Sequence, residues 1–175
     1  MKLTDLLKQE VEGMYHAAEG VFKLAEGTDL NWKPATGKNW MTTGQAMHHC
    51  TNACGMCVKG FVTGDWGLPE GVSYETMPED MAMPPAEKMP TVKSVAEALE
   101  LLRKDKAVAL AMIDQAGEAN LLTKVSSAPW GGPPMTLFQH IQHMIGHLGT
   151  HKAQVFYYLK LQGKEVNTMH LYGAA

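Results

Sequence analysis

Residues 140–154 read His140-Ile-Gln-His143-Met-Ile-Gly-His147-Leu-Gly-Thr-His151-Lys-Ala-Gln154, placing four of the chain's eight histidines in one run without proline. At about 100° per residue these four imidazoles fall within roughly 80° of arc, so the spacing predicts a helix that carries them on one face. Met144, Val155 and Tyr158 share that face, which marks it as the side a bundle would bury. Buried imidazoles need partners, and a metal ion is one. His147 and His151 stand at i, i+4, about one helical turn apart, a spacing at which two ring nitrogens can converge on one ion.

Working outward, the hydrophobic spacing predicts four helices separated by Gly- and Pro-rich stretches. The first runs from about Thr4, read as its N-cap, to Ala25, with Leu7, Val11, Met14, Ala18, Val21 and Phe22 on one stripe before Gly27. A second runs from about Thr43 to Val62, with Ala46, His49, Cys50, Ala53, Cys57 and Phe61 three and four apart. The third spans Ser94 to Ala116, and the last begins near Pro134 and ends at Gly163. Between the second and third lie about 30 residues, too many for a tight antiparallel turn and enough for a crossover. Leu122 to Val125 is the only short strand candidate and is read as loop. The fold class expected is therefore all-α, a four-helix bundle with a long crossover between helices 2 and 3, forming a single domain over residues 1–175.

Composition narrows the function. Fifteen basic residues against eighteen acidic give a formal charge of −3, with no basic field, so nucleic acid is not an expected partner. No segment has the length of a membrane span, and the N-terminal residues interrupt their apolar positions with charge, unlike a signal peptide. The three cysteines lie between positions 50 and 57, cannot form a disulfide framework, and suit the cytoplasm. Their spacing, Cys50-Thr-Asn-Ala-Cys54-Gly-Met-Cys57, is that of the cluster-binding motif of radical S-adenosylmethionine enzymes. That motif needs a loop after a strand, whereas these cysteines continue a helix begun at Thr43, so they read as small buried hydrophobes. Met77, Met81, Met83 and Met89 are irregularly spaced among prolines and read as packing of the crossover onto the bundle rather than as a copper tract.

Two histidines from one helix leave a metal underbound, so a third ligand must come from elsewhere. His48 and His49 in the second helix are the candidates, and His49 is in line with the apolar stripe through Ala46, Ala53 and Cys57. The set chosen is His49, His147 and His151, with His140 and His143 as competitors that periodicity does not separate. Asn52, Gln45 and Gln154 lie within a turn of these ligands and are candidates to orient an imidazole or touch a substrate. Trp32 and Trp40 are expected to pack the loop on the bundle, and the Tyr158 hydroxyl reaches the site only if the end of its helix faces it.

The stretch Trp40-Met-Thr-Thr-Gly44-Gln-Ala-Met-His48-His49, followed much later by His147-Leu-Gly-Thr-His151-Lys-Ala-Gln154 and Tyr158-Leu-Lys-Leu-Gln-Gly163, resembles the DinB/YfiT-like superfamily. Trp32-Lys-Pro34 beyond the first helix belongs to the same pattern. The resemblance implies a four-helix bundle with a long crossover, and a divalent ion, Zn or Ni with Fe also suited, held by the motif-ending His49 and by the His147 and His151 pair. Relatives commonly read Arg-Gly-Gln where this chain has Lys152-Ala153-Gln154, a departure that removes no ligand. It further implies a small-molecule substrate, a metal-dependent transferase using a low-molecular-weight thiol, and a homodimer as an open arrangement. Metal-assisted hydrolysis and non-catalytic metal or small-ligand binding are the alternatives.

Overall fold

The computed structural model of the chain describes residues 2–174 and all their side chains except those of Glu79 and Asp80. Helix α1 (Leu3–Leu24) buries Leu7, Val11, Tyr15, Ala18 and Phe22 at steps of three and four. Its N-cap is Lys2 and not Thr4, and no side chain of its own caps it. The carboxylate of Glu118 does so instead, accepting the Leu3 and Thr4 amides at 2.9 and 3.1 Å.

The second expected helix is two. Helix α2 (Thr43–Cys50) opens on a reciprocal capping box between Thr42 and Gln45, and α3 (Gly55–Thr63) ends at Gly64 with φ of 81°. The break between them is imposed from outside by Asp105, whose buried carboxylate accepts the amides of Gly55 and Met56 at 2.9 Å each. Tyr15 donates its hydroxyl to the same carboxylate at 2.5 Å. An anion at the positive end of a helix, bonded to its unpaired amides, is a favourable terminus. Gly55 is required here, because a Cβ at this position would lie 2.1 Å from the carbonyl oxygen of Asp105.

The connection from Gly64 to Ser94 carries the short α4 (Glu79–Ala82) and a 3-10 turn at Ala86–Lys88. Helix α5 (Val95–Thr123) starts where the Ser94 hydroxyl accepts the Glu97 amide, and runs beyond the expected end at Ala116. Gly117, at φ 67° and ψ 159°, kinks it, which is why the periodicity lapses there. The segment read as loop after Leu122 contains a two-residue strand, β1 (Val125–Ser126), paired antiparallel with β2 (Met135–Thr136). Helix α6 (Leu137–Leu161) begins at a capping box of Thr136 and Gln139, three residues after the expected Pro134 region, and α7 (Thr168–Leu171) follows.

The fold is all-α apart from that bridge. Helix α1 packs on α5 and α6, α2 on α6, and α3 on both α5 and α6, around a core that includes Phe22, Met47, Leu102, Ile113, Ile141 and Leu148. The expected set of four helices is thus three long helices and a broken pair. Surface ion pairs Lys8–Asp114, Lys106–Glu12 and Arg103–Glu19 run along the α1/α5 seam and add register more than stability. Among the described residues no helix is long and apolar enough to cross a membrane.

Candidate metal centre

The C-terminal half of α2 faces the middle of α6, and this brings His49 onto His147 and His151. One ring nitrogen from each of the three lies within 4.8 Å of the others, a grouping that could hold a metal ion. His48, one residue away, His140 and His143 lie outside it. His140 is instead a core residue, 1% exposed, stacked on Phe61 at 3.9 Å and donating Nε2–H to the Ser126 carbonyl at 2.8 Å. His143 points to solvent.

Hydrogen bonds fix two of the three tautomers. The Nδ1 of His147 lies 3.1 Å from the carbonyl oxygen of Ala53, which only accepts, so Nδ1 carries the proton and Nε2 is left with its lone pair. The Nδ1 of His151 makes the equivalent bond to Gln154 Oε1 at 3.0 Å, and Gln154 in turn donates to the Tyr158 hydroxyl at 2.8 Å. Such bonds from the far ring nitrogen are how ligating imidazoles are held in orientation. Ala53 is free to serve because it sits in the break that Asp105 imposes.

The Nε2 atoms of His49 and His147 are 3.2 Å apart. Two nitrogens each about 2.05 Å from one ion subtend that separation at about 100°, within the range of tetrahedral and octahedral sites. Either a proton on His49 or a shared cation fills the gap. Burial, then the charges that His151, His147 and His48 would carry, pulls His49 from its ordinary 6.5 to about 4. Burial likewise lowers His147 and His151. Neutral imidazoles are the form that binds metal, so the donor set fits a divalent ion.

Above the three rings lies a cavity of about 610 Å³. Met144 comes from α6, Met41 from the loop before α2 and Met83 and Met89 from the long connection, and Tyr74 and Trp130 add aromatic rings to the wall. The methionine tract thus splits: Met81 and Met83 are exposed rather than packed into the core, and Met83 and Met89 border the cavity. Gln45 was a candidate to orient an imidazole, but its amide nitrogen donates to the carbonyls of Ala86 and Met89 at 2.7 and 2.8 Å, so it fastens the wall instead. Asn52 bonds through its main chain, donating its N–H to the His49 carbonyl at 3.2 Å and accepting the Cys57 thiol. Trp32 and Trp40 set their ring edges against Tyr158 at 5.2 and 6.5 Å, packing the loop as expected.

The cysteines do not assemble a cluster site. Cys50 and Cys54 are buried in the core, and burial raises all three thiols, Cys54 to about 12 and Cys57 to about 11. Lys152, beside His151, is 5% exposed and donates to the Leu171 carbonyl at 2.6 Å, pinning the C-terminal turn to α6. The wall residues Tyr74 and Trp130 and the carbonyl of Ala53 carried no readable signal, since their roles come from segments that meet only on folding.

An all-α body with a histidine triad between the second helical segment and the last helix defines a class of proteins able to hold a metal ion at that point. The family model of the DinB superfamily matches residues 10–155, and the chain belongs to that superfamily. No curated protein and no solved structure matches it.

Proposed function

We propose that the protein holds a divalent ion, Zn or Ni with Fe also suited, through His49, His147 and His151, and catalyses transfer of a low-molecular-weight thiol to a small electrophile. The observation that supports this reading is the convergence of three neutral imidazoles, two with their tautomers set by Ala53 and Gln154, at the base of a cavity. A divalent ion ligated only by neutral nitrogens keeps its full charge and open positions, and so lowers the pKa of a thiol bound to it.

The chain's own residues hold the imidazoles in orientation and surround the reactants with apolar side chains. The reaction balances when the thiol yields its proton to solvent, its sulfur bonds to the electrophilic carbon, and the leaving group departs with the electrons of the broken bond. Metal-assisted hydrolysis, with hydroxide at an open position, is the alternative that the same three ligands support. Three free cysteines support the reading of a cytoplasmic protein.

Elemental analysis of the purified, untagged protein is the first test, followed by conjugation of small thiols to monochlorobimane, in which chloride leaves. About one ion per chain together with conjugation that ceases on chelation supports the reading. One ion without turnover leaves a binding protein, and no ion after repletion overturns the proposal.

A further inference from the structure

The cavity over the triad has an unusual chemistry for a site that would receive a hydrophilic thiol. None of its described lining residues is Asp, Glu, Lys or Arg. The walls are the thioethers of Met41, Met83, Met89 and Met144 and the rings of Tyr74 and Trp130. The one amide among the lining residues, Asn39, gives its carbonyl oxygen to the Ala86 amide at 2.7 Å, so its remaining polar group is a neutral NH2 and not a counter-charge. A ligand carrying a carboxylate or ammonium away from its metal-binding atom would find no counter-charge on these walls, and an ionised group taken from water without one is strongly disfavoured.

We infer that the site selects an uncharged, apolar molecule with a single metal-binding donor, an aryl or branched alkyl thiol being the fitting class, and discriminates against thiols that bear a second ionised group. This rests on the metal reading above. Thioether side chains are flexible and polarisable, so the walls accommodate varied apolar shapes while offering no counter-charge. A volume of about 610 Å³ is enough for a ring and its substituents beside the imidazoles. The size of the cavity therefore does not exclude charged thiols; the chemistry of its walls does.

The experiment uses the full-length protein loaded with Co(II), whose content is measured before any thiol is added. Three probes differ at one position: 4-methylbenzyl mercaptan, 4-(mercaptomethyl)benzamide and 4-(mercaptomethyl)benzoate. Their binding is followed through the thiolate-to-Co(II) charge-transfer absorption. The methyl compound is expected to bind at least about tenfold more tightly than the carboxylate, with the amide nearer the methyl compound, since charge rather than size is excluded.

A second variant reverses the logic. Met83 is 70% exposed, so Met83→Lys is compatible with folding and sets a cation at the cavity rim. It is expected to narrow the preference by tightening the carboxylate alone. Co(II) bound with equal affinity for all three thiols, or a preference for the carboxylate, overturns the inference and leaves the metal reading standing. Absence of Co(II) before thiol addition overturns both.

Discussion

The Nδ1 of His147 stands 3.1 Å from the carbonyl oxygen of Ala53, joining the middle of α6 to the break between α2 and α3. The break is held by Asp105 of α5, so a carboxylate that touches no imidazole decides where the acceptor for His147 lies.

His147→Ala and His151→Ala are each expected to abolish stoichiometric metal binding with helical content retained, as read by elemental analysis and circular dichroism. His140→Ala should keep the metal and lose stability, by about 2–4 kcal/mol for a buried ring and its hydrogen bond. Metal retained in both of the first two variants would sink the ligand set.

Gln154→Leu removes the acceptor for His151 Nδ1 while preserving bulk. Metal affinity, measured by competition with a chelator, should fall by about 10–100-fold. Tyr158→Phe, which loses only the acceptor for the Gln154 amide, should have a smaller effect; an equal or larger effect would contradict the order of this chain of bonds.

Asp105→Ala strands the amides of Gly55 and Met56 and the Tyr15 hydroxyl, and is expected to cost about 3 kcal/mol or more in urea denaturation. In the folded fraction, metal affinity should also fall, since Ala53 is no longer fixed. An unchanged affinity would mean that the break persists without its carboxylate.

The metal-free protein should lose stability with acid. His49 has a folded pKa of about 4 against an ordinary 6.5, so between those values the unfolded chain binds more protons. Stability is complete above pH 6.5 and falls as pH drops toward 4. Denaturation midpoints at pH 7.5 and 5, compared with those of His49→Gln, test this: the variant should show a flatter dependence, and identical slopes would refute it.

Gln45→Leu is expected to retain metal and to speed hydrogen exchange at the amides of Ala86 and Met89, because the fastening of the wall is lost. Exchange as slow as in the parent would show that other contacts hold that segment.

The sequence placed α1 and α6 to within a few residues and picked out the three histidines, because both readings rest on periodicity within one element. It did not reveal the split at Thr51–Cys54, since the cause is a carboxylate fifty positions from Gly55. The apolar stripe through Ala46, Cys50 and Ala53 continues across the break, so periodicity alone reads one helix where there are two. His140 resembled a ligand, yet it lies outside the triad. It shares the buried face, but its partner is the carbonyl of Ser126, and a main-chain acceptor leaves no mark in residue identity. Gln45 misled in the opposite sense: its nearness to His49 along the chain says nothing of the direction in which its amide reaches.

Gln45 grips Ala86 and Met89 by their carbonyl oxygens, groups that every amino acid provides. The hold of Gln45 on that wall is therefore independent of which side chains the wall displays to the cavity. Substitutions at Met83 or Met89 can alter what the cavity accepts without loosening its frame, and the imidazoles beneath need not change. On the proposed function, ligand preference and ligation chemistry are separately adjustable, an arrangement in which new substrates can be reached by single steps.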